Sequence, residues 1–563
     1  MKQLVLRRRW LAQCATVVAI AGIGGTANAF TLESENADVK MNWDQTLRYN
    51  WGQRAQGRDQ TGAVSSAVRD ESEMLFDRGD TVANRLDLYS EFDLTYQERM
   101  GFRVSASLWY DAAYSGKTRS NPAMNGPAFI TAPNYRNNDF SPYVKRYYRG
   151  PSGEFGDAFV WMNVPTDRGT ANVKVGRFGV QWGEAIFPAA AANSVGTSMS
   201  PSDAAKAAAS PGATAKETLL PLSQILVSLP LSPTLELAAQ YSLEYRANRY
   251  PEGGTYFGFQ DLLLNGPDTF NGLSRIQPQK GRSGDVGLML KFSPEWLDGV
   301  FSTVYRKYDD KNYGWLSTTA TTYQAVAARN TELVGVGLNK NVAGVAVGAE
   351  LSYRKNQGLF AGMTGPAVYT TTGANYEAIP RGNTTHALLN LTKAFGKTTL
   401  WDTAILVGEA SWSHLNTVTA NPATYLGNTL SAAAAGNPSV NCGNNPSIGA
   451  GCPSKSASRL DMAFTPTWLQ VFPGVDLSLP LLYMRGLSGN AAAFGSAQNE
   501  GTVIYSVGLN ATAYSKYNFS LAYTGFDNKH SGTGNVTQSR YVNNGITAYY
   551  DRAWLNFTFR VTY

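Results

Sequence analysis

The sequence is poor in the side chains from which many enzymes build their sites. Charged residues make up 16% of its 563 residues, whereas an average soluble domain carries roughly 25%. Three histidines and three cysteines are too few to favour a multi-ligand zinc or thiolate site. Beyond the N-terminus, no stretch approaches the roughly 18 apolar residues that a spanning helix needs. These shortages disfavour a zinc enzyme and a helical transporter.

Aromatic and small residues are plentiful instead. Phe, Tyr and Trp make up 12% of the chain, with 30 tyrosines, and there are 55 glycines. The mean hydropathy is nevertheless slightly negative. The chain is therefore too polar for a bundle of membrane helices and too aromatic for a disordered protein.

Residues 1–29 have the layout of a secretory signal peptide. Basic residues at 2 and 7–9 precede an apolar run at 11–23, and Ala27-Asn28-Ala29 has the form of a cleavage site. We predict cleavage after Ala29; the alternative, an uncleaved membrane anchor, is disfavoured by the short apolar run. Cleavage removes four basic and no acidic residues, so the formal net charge of +6 falls to +2 (6 − 4). A charge this small gives no indication of nucleic-acid binding.

Two cysteines remain after that cleavage. Cys442 and Cys452 flank a stretch of small residues that includes Gly443-Asn444-Asn445-Pro446. A secreted chain meets an oxidising compartment, where such a pair forms a local disulfide. We predict this disulfide; two free thiols are the alternative.

The dominant pattern is an alternation of apolar and polar residues, which predicts β-strands. It recurs at 86–96, 102–110, 286–292, 503–511 and 517–523. In the first of these, Leu86, Leu88 and Phe92 share one face, and Asp87 and Glu91 lie on the other. A soluble β-sandwich shows the same alternation, so other features have to distinguish it from a membrane β-barrel.

Short polar breaks alternate along the chain with long segments. The breaks lie at 97–101, 165–170, 230–233, 293–298, 341–344, 396–397, 473–474 and 514–516. The long segments lie near 52–79, 115–154, 182–218, 248–281, 309–330, 356–382, 416–456, 487–499 and 528–546. Short turns at one end and long loops at the other are typical of outer-membrane barrels. The pattern predicts about 18 strands, between about 16 and 20, with both chain ends on the short-turn side.

The last strand carries the sharpest signal. Leu555, Phe557, Phe559, Val561 and Tyr563 occupy every second position and end the chain on an aromatic residue. This ending resembles the strand that the outer-membrane assembly machinery recognises. We therefore expect these five residues to form the barrel-assembly signal.

Together these features predict an all-β fold, a single transmembrane antiparallel β-barrel over residues 30–563. Lipid cannot satisfy backbone hydrogen bonds, so a sheet in a bilayer has to close on itself. The apolar faces would contact acyl chains, aromatic residues would form belts at both interfaces, and the polar faces would line a wet lumen. The charged residues expected to line it are Arg85, Asp87, Glu91, Asp93 and Arg103.

Residues 172–184 contain a second group of polar side chains. The apolar positions change from odd numbers, at 173 and 175, to even numbers, at 178, 180 and 182. A β-bulge at Gly176 would absorb this change and place three polar side chains in the lumen, Lys174, Arg177 and Gln181. They would form a positive ladder at a constriction, or a salt-bridge network with Glu184.

The same stretch carries a family resemblance. Gly176-Arg177 and Trp182-Gly183-Glu184, after a signal peptide and a first strand with Trp43 and Trp51, resemble the Gly-Arg-Gln…Trp-Gly-Glu segment of a bacterial outer-membrane family, domain of unknown function 1302. Phe178 stands where that family usually has Gln. The resemblance extends over the mature chain and implies a barrel found beside a periplasmic lipid-binding-like protein and a resistance-nodulation-division (RND) exporter. It implies movement of hydrophobic or amphipathic molecules across the envelope, and it carries over no catalytic residue.

The long segment at 182–218 has a composition of its own. Residues 188–215 are rich in Ala, Ser and Pro, and 202–209 read as a short helix, capped by Ser202 or Asp203 and ended before Pro211. This is the third long loop, the one that folds into the lumen of general porins. We expect it to fold inward and narrow the pore; a loop on the outer rim is the alternative.

The leading hypothesis is a channel in the outer membrane of a Gram-negative bacterium. It would pass small amphipathic or hydrophobic solutes, contact outer-membrane lipid and lipopolysaccharide, and use no metal, cofactor or nucleic acid. The first alternative is a closed barrel that docks a periplasmic partner and accepts lipid-like cargo. A hydrolase is a weaker alternative, for which His386 or His414 would have to activate a nearby hydroxyl; the sequence has no Gly-x-Ser-x-Gly segment.

Overall fold

The structure is a computed structural model. It describes residues 30–32, 34–58, 72, 74–119, 135–187, 194–258, 265–270, 273–361, 376–428, 430–431, 440–444, 446, 448, 452–496, 498–527 and 549–563. The predicted signal peptide and its cleavage site lie outside these residues. No helix within the described ranges is long and apolar enough to cross a membrane.

Eighteen antiparallel strands of the described chain form one barrel wall. In chain order they are β1 (Val39–Arg54), β2 (Thr81–Tyr96), β3 (Met100–Asp111), β4 (Ser152–Thr166), β5 (Gly169–Phe178), β6 (Leu222–Ser232), β7 (Leu235–Ser242), β8 (Val286–Phe292), β9 (Gly299–Tyr308), β10 (Thr331–Val342), β11 (Val345–Gly358), β12 (Arg381–Phe395), β13 (Thr403–Ala420), β14 (Ser456–Phe472), β15 (Val475–Ser478 and Leu481–Ser488), β16 (Val503–Ala513), β17 (Tyr517–Asp527) and β18 (Trp554–Thr562). A three-residue strand, Phe30–Leu32, pairs with β1.

The described parts of the long connections contain short elements only. The helices are α1 (Pro142–Val144), which continues as a π-helical turn (Lys145–Arg149), α2 (Ala204–Ala209) and α3 (Ala215–Thr218). Single 3₁₀ turns lie at Ala112–Tyr114, Arg136–Asn138, Val195–Ser198, Glu295–Leu297, Tyr376–Ala378 and Leu426–Asn428. Four short strands, Thr269–Phe270, Leu273–Arg275, Tyr313–Thr318 and Thr322–Ala327, form a small separate sheet, and Leu430–Ser431 pairs with Val440–Asn441.

The wall closes on itself. Each strand pairs with its neighbours in sequence, and β18 returns to β1, where Thr46 lies opposite Thr562. At the break in β15, the N–H of Leu479 still donates to the carbonyl of Pro466, at 3.0 Å. The backbone ladder therefore continues around the barrel, as a wall in lipid would require. The prediction of an all-β barrel with about 18 strands is confirmed.

Turns and loops separate to opposite ends of the barrel, as predicted. The predicted short breaks join β2 to β3, β4 to β5 and so on to β16 and β17, and the predicted long segments join the other neighbours. Gln45 of β1 and Tyr563 exchange two backbone hydrogen bonds, at 3.0 and 2.8 Å, so the first and last strands meet at the end that carries the turns. We call this the short-turn end and the opposite one the long-loop end.

The outer face of the wall is apolar. Residues opposite each other in an antiparallel sheet point to the same side, so the register assigns each side chain to the outer face or to the lumen. Exposed aliphatic side chains cover the middle of the outer face, among them Leu108, Val160, Leu288, Leu351, Leu389 and Val507. Exposed aromatic side chains flank them, Tyr110, Tyr241, Tyr305, Tyr353 and Trp412 toward the long-loop end and Trp43, Tyr96 and Phe292 toward the short-turn end.

The five C-terminal residues predicted to guide assembly share one face. Leu555, Phe557, Phe559 and Val561 alternate along β18, and Tyr563 follows in the same phase. Phe559 packs against Phe519 of β17, with ring centroids 5.1 Å apart. This arrangement leaves the assembly role a prediction.

The bulge predicted at Gly176 is absent. The register of β5 runs without a shift from Asn172 to Arg177 against both of its neighbours. The position needs glycine for a different reason. Its φ is +133°, and a Cβ there would lie 2.5 Å from the carbonyl oxygen of Ala158, so any larger residue would be strained.

The change of apolar phase near Gly176 has another cause. Phe178 faces the lumen, where its ring packs against Phe159 with centroids 5.5 Å apart. Both belong to an apolar cluster that the lumen itself contains at this height. The change in the sequence pattern therefore reflects apolar contacts inside the lumen. Side chains still alternate between the two faces along β5.

The lumen is filled at its long-loop end. Along β1 the lumen-facing side chains change from exposed at Lys40 to fully buried at Arg48 and Asn50. β12 shows the same gradient, from exposed Ala394 to buried His386. The long connections cap this end with a buried cluster that includes Phe76, Tyr114, Tyr135, Tyr148, Tyr256 and Trp554. The short-turn half of the barrel is therefore the wider part.

Candidate functional site

The third long connection enters the lumen. β5 ends at Phe178, and residues 179–221, which we call the inward segment, leave the wall before β6 begins. Its described parts, 179–187 and 194–221, hydrogen-bond to lumen-facing side chains of β9, β11, β12 and β13 on one side and of β1, β2 and β3 on the other. Because these strands lie on different sides of a closed wall, the segment crosses the barrel.

Two wall glutamates hold the first limb of the inward segment. Glu350 of β11 accepts hydrogen bonds from the N–H groups of Glu184 (3.0 Å) and Val195 (2.7 Å). Glu409 of β13 accepts from two successive N–H groups, those of residues 186–187, at 2.8 and 2.9 Å. Buried backbone donors need such partners where no strand or helix supplies them.

Two wall arginines hold the carbonyl groups of the same limb. Arg354 Nη2 donates to the carbonyl of Ser194 at 3.0 Å, and Arg306 Nη2 donates to that of Ser198 at 2.8 Å. Both arginines are buried. The wall thus binds the backbone of the segment from both its donor and its acceptor sides.

The second limb contains the predicted helix. α2 begins after Asp203, whose carboxylate accepts the N–H of Lys206 at 2.8 Å, and it ends before Pro211, as predicted. Its alanines let it approach the wall closely, and Ala205 and Ala209 are buried. The following helix, α3, opens with a capping box between Thr214 and Glu217. The short-helix prediction is confirmed.

A bidentate ion pair fixes this second limb to β1. Arg48 donates to both carboxylate oxygens of Glu217, at 2.7 and 2.9 Å, and the two side chains are 1% and 2% exposed. Burial alone would raise the pKa of Glu217, but the hydrogen bonds and charge of Arg48, with the charge of Lys206, outweigh it and lower the pKa to about 2. Glu217 is therefore ionised at neutral pH.

Ser210 is a second point of attachment. Its Oγ accepts from Arg48 Nε (2.8 Å) and Asn50 Nδ2 (2.9 Å) and donates to Asp87 Oδ2 (2.8 Å). One hydroxyl thus joins α2 to both β1 and β2. Thr558 of β18 donates to the next carbonyl, that of residue 211, at 3.3 Å.

Arg85 and Asp87, predicted to line the lumen, face it but lie beneath the inward segment. They pair with each other at 2.8 Å, and their side chains are 2% and 4% exposed. Asp87 also accepts the hydrogen bond from Ser210. These charges therefore position the segment and do not meet a solute directly.

The other three predicted residues of these strands lie nearer the short-turn end and differ in exposure. Glu91 is buried by Lys216 of the inward segment, which donates to it at 2.7 Å. Asp93 and Arg103 pair across β2 and β3 at 2.6 Å, and their side chains are 25% and 34% exposed. Of the five residues predicted on these strands, this pair is the one that a solute in the lumen would meet.

The predicted ladder of Lys174, Arg177 and Gln181 is not assembled. Lys174 faces the lumen, with its Nζ 4.6 Å from the centroid of the Phe159 ring. Arg177 lies three positions further along an unbulged strand, so it is on the opposite face. Gln181 is exposed and belongs to the inward segment, beyond the end of β5.

Glu184 does not join a network with Arg177 either. Its carboxylate accepts from Asn339 of β10 at 3.1 Å, and its N–H donates to Glu350 of β11. It therefore lies against β10 and β11 and away from Arg177. The predicted pairing failed because Arg177 faces outward and the chain leaves β5 after Phe178.

Sequence reasoning missed the residues that anchor the inward segment. Arg48, Glu350, Glu409 and Arg354 stand at polar positions of alternating strands, so the pattern could have assigned them to the lumen. Their partners are more than 150 residues away, as in the pair of Arg48 and Glu217. No local signal in the sequence joins such distant groups.

Other predicted groups occupy separate places. Cys442 and Cys452 are joined in a disulfide, with Cα atoms 5.5 Å apart. His386 lies in the lumen wall, 2.9 Å from Thr384 Oγ1, and His414 lies on the outer face, 2.7 Å from Ser456 Oγ. Within the described ranges, no group of three or more His, Cys, Asp or Glu is placed to hold a metal ion.

A family model covers nearly the whole chain. The model described as "Protein of unknown function (DUF1302)" matches residues 10–563. The chain belongs to this family. The resemblance seen around Gly176-Arg177 and Trp182-Gly183-Glu184 is thereby confirmed, and this DUF1302 member has its motif at the point where β5 gives way to the inward segment. No curated protein matches the sequence.

The solved structures that match this DUF1302 chain are distant from it. The outer membrane protein opdK from Pseudomonas aeruginosa is 8% identical, with a TM-score of 0.40, and the match covers 93% of this chain and 98% of opdK. OccAB1 of Acinetobacter baumannii is 9% identical, with a TM-score of 0.43, over 95% and 99% of the two chains. The outer membrane channel DcaP of the same species is 9% identical, with a TM-score of 0.36, over 95% and 99%.

Proposed function

We propose that this protein is an outer-membrane channel whose pore is narrowed by the inward segment. The observation that carries the proposal is a closed wall, apolar outside, that encloses a segment fixed to two sides of its lumen. An 18-stranded barrel of this kind is wide enough for an aqueous channel. The anchors on Arg48, Glu350 and Glu409 leave part of that width free at the short-turn end.

The orientation follows from the two ends of the barrel. In barrels of the outer membrane, short turns and both chain ends face the periplasm, and long loops face the outside. The predicted signal peptide would bring the chain to the envelope, and the C-terminal strand would direct it to the assembly machinery. The filled half of the lumen then faces the exterior.

The solute class and partners are part of the same proposal. The inner wall presents partly exposed paired charges, such as Asp93 with Arg103, and the family resemblance adds the expectation of small amphipathic or hydrophobic solutes. A periplasmic lipid-binding-like protein and an RND exporter remain the expected partners, on the family resemblance alone. No chemistry on the solute is proposed.

Planar-bilayer recording of refolded protein tests the channel directly. We expect discrete single-channel steps whose size does not change when the predicted signal peptide is absent. Refolding is checked first by the lower mobility of the protein on gels after boiling, which reports a folded barrel. A folded barrel that gives no steps over a range of voltages would contradict the proposal.

A closed barrel that accepts lipid-like cargo is the second candidate. The observation in its favour is the burial of lumen-facing side chains around most of the long-loop half, as at Arg48, Arg306 and Arg459. This candidate predicts folded protein without conductance, together with lipid that co-purifies with it. The same recording therefore separates the two candidates.

A further inference from the structure

One part of the inner wall stays open where the rest is covered. In the long-loop half, the lumen-facing side chains of β1–β3 and of β5–β14 are buried. On β16 and β17, Ile504, Ser506, Ala522, Thr524 and Phe526 are partly exposed. We call these five residues the open lane.

The register places the open lane inside the barrel. Thr558 of β18 contacts the inward segment at residue 211, so it faces the lumen. Ser520 of β17 lies opposite Thr558, and Ser506 lies opposite Thr524. Because side chains alternate along a strand, the even-numbered residues of both strands face the lumen.

The strands on either side of the open lane are mostly covered at the same height. On β15, Met484 opposite Ile504 is buried and Leu482 opposite Ser506 is partly exposed. On β18, Trp554 and Asn556, opposite Thr524 and Ala522, are both buried. β4 is the other place where the lumen face is partly exposed, and there Glu154 is held by Arg249 at 2.7 Å. The open lane is thus a strip about two strands wide beside the inward segment.

The open lane has no charged side chain. Neither of its two strands, both described in full, has a charged residue at a lumen-facing position. Thr524 Oγ1 donates to Ser506 Oγ at 3.1 Å, and Ser506 donates to the carbonyl of Tyr523 at 3.1 Å. The strip therefore offers hydroxyl groups beside the apolar side chains of Ile504, Ala522 and Phe526.

Aromatic rings lie at the long-loop end of the open lane. The Phe526 ring lies 6.3 Å from that of Phe257 and 5.6 Å from that of Tyr549, between centroids. Phe257 and Tyr549 are themselves 5.7 Å apart, at an angle of 85°. Such edge-to-face surfaces favour contact with aromatic or other apolar groups.

We propose that uncharged solutes with both apolar and hydrogen-bonding parts pass along the open lane. This inference rests on the proposed channel function and names the path and the solute class. An ion would have to shed water beside Ile504 and Phe526 with no opposite charge to receive it, which is unfavourable. A neutral solute loses less hydration free energy than an ion does. It also gains hydrogen-bond partners in the hydroxyl groups of Ser506 and Thr524.

Cysteine substitution tests the path. The native pair Cys442–Cys452 is oxidised, so Ser506→Cys and Thr524→Cys each add one free thiol to the processed chain. An uncharged reagent, benzyl methanethiosulfonate, should label both and slow the swelling of protein-containing liposomes in the neutral solute phenyl glucoside by about half or more. The matched control is Ser352→Cys, a lumen-facing serine of β11 that is 1% exposed, which should remain unlabelled with the swelling rate unchanged.

The outcomes separate this inference from the channel itself. No current from any folded, unmodified variant would overturn both proposals. Swelling in phenyl glucoside that stays equally fast after complete labelling of Ser506→Cys and Thr524→Cys would overturn the open lane alone. Using both positions guards against one substitution that fails to fold.

Two solutes that differ in charge test the proposed solute class. Phenyl glucoside and phenyl glucuronide differ by one carboxylate, and liposomes that contain the protein should swell at least about fivefold faster in the uncharged solute. Ser506→Arg should remove most of that preference, because it supplies a positive charge on the path. Equal rates for the two solutes through the unsubstituted protein would overturn the inference.

Discussion

Glu217→Gln is expected to loosen the second limb of the inward segment and raise the conductance. The substitution keeps the size of the side chain but leaves Arg48 buried without its ion partner. Breaking a buried pair in this way costs about 3–5 kcal/mol. Since each 1.4 kcal/mol is tenfold in an equilibrium, the population of the released form of the limb should rise by a factor of about a hundred to a few thousand. Single-channel recording should then show larger and noisier steps.

An exposed ion pair provides the control for that substitution. Lys40 and Glu98 pair at 2.5 Å near the short-turn end, with side chains 63% and 74% exposed. Surface pairs of this kind contribute little, so Glu98→Gln should leave the conductance unchanged. Equal effects of the two substitutions would show that the Arg48–Glu217 pair does not hold the segment.

Acid should imitate Glu217→Gln in the unsubstituted protein. The pKa of Glu217 is lowered to about 2 in the folded chain from its ordinary 4.5. A lowered pKa means that the stabilisation is complete above about pH 4.5 and is lost as the pH falls toward about 2. The conductance should therefore rise over this range, and the Glu217→Gln variant should lack that particular rise.

Deletion of residues 188–215 is expected to give the largest change of all. It removes α2 and Ser210, and it breaks the link between the limb on Glu409 and the limb on Arg48. Phe178 and Leu222 are paired neighbours, so the residues that remain can close a loop without crossing the lumen. The conductance should increase by a factor of about three or more, as for a barrel with a wider aqueous section.

The deletion also has an outcome that would contradict the proposed constriction. Refolded protein that keeps its heat-dependent mobility has an intact barrel wall. If such protein shows the same step size as the full-length chain, the inward segment does not narrow the path. Loss of folding would be visible in the same gel and would be distinguished from an unchanged pore.

The fold could be predicted from the sequence because a barrel wall repeats one local rule. Successive residues of a strand, such as Leu86 and Asp87 of β2, lie on opposite faces. The turn residues mark where the two strands of each hairpin are joined. The count of hairpins gave an even number of strands, and an even number places both chain ends with the turns. These signals are local, so tertiary packing does not alter them.

The state of the lumen could not be predicted in the same way. Arg85 with Asp87 and Arg103 with Asp93 look alike in sequence, yet the first pair is buried and the second is partly open. The difference depends on Ser210, which reaches Asp87 from more than a hundred residues away. The change of the apolar positions from odd to even numbers near Gly176 was wrongly attributed to a bulge. The prediction assumed that lumen-facing residues are polar, but the lumen contains apolar side chains there.

A disulfide between the inward segment and the wall tests most directly whether the segment crosses the lumen. Asn50 Nδ2 and Ser210 Oγ are 2.9 Å apart, so Asn50→Cys with Ser210→Cys should become oxidised almost completely in the outer membrane. Trp51→Cys with Ser210→Cys is the control, since residue 51 points to the outer face and should stay unpaired. If the pair at 50 and 210 remains reduced while Cys442 and Cys452 are oxidised, the segment does not lie across the lumen.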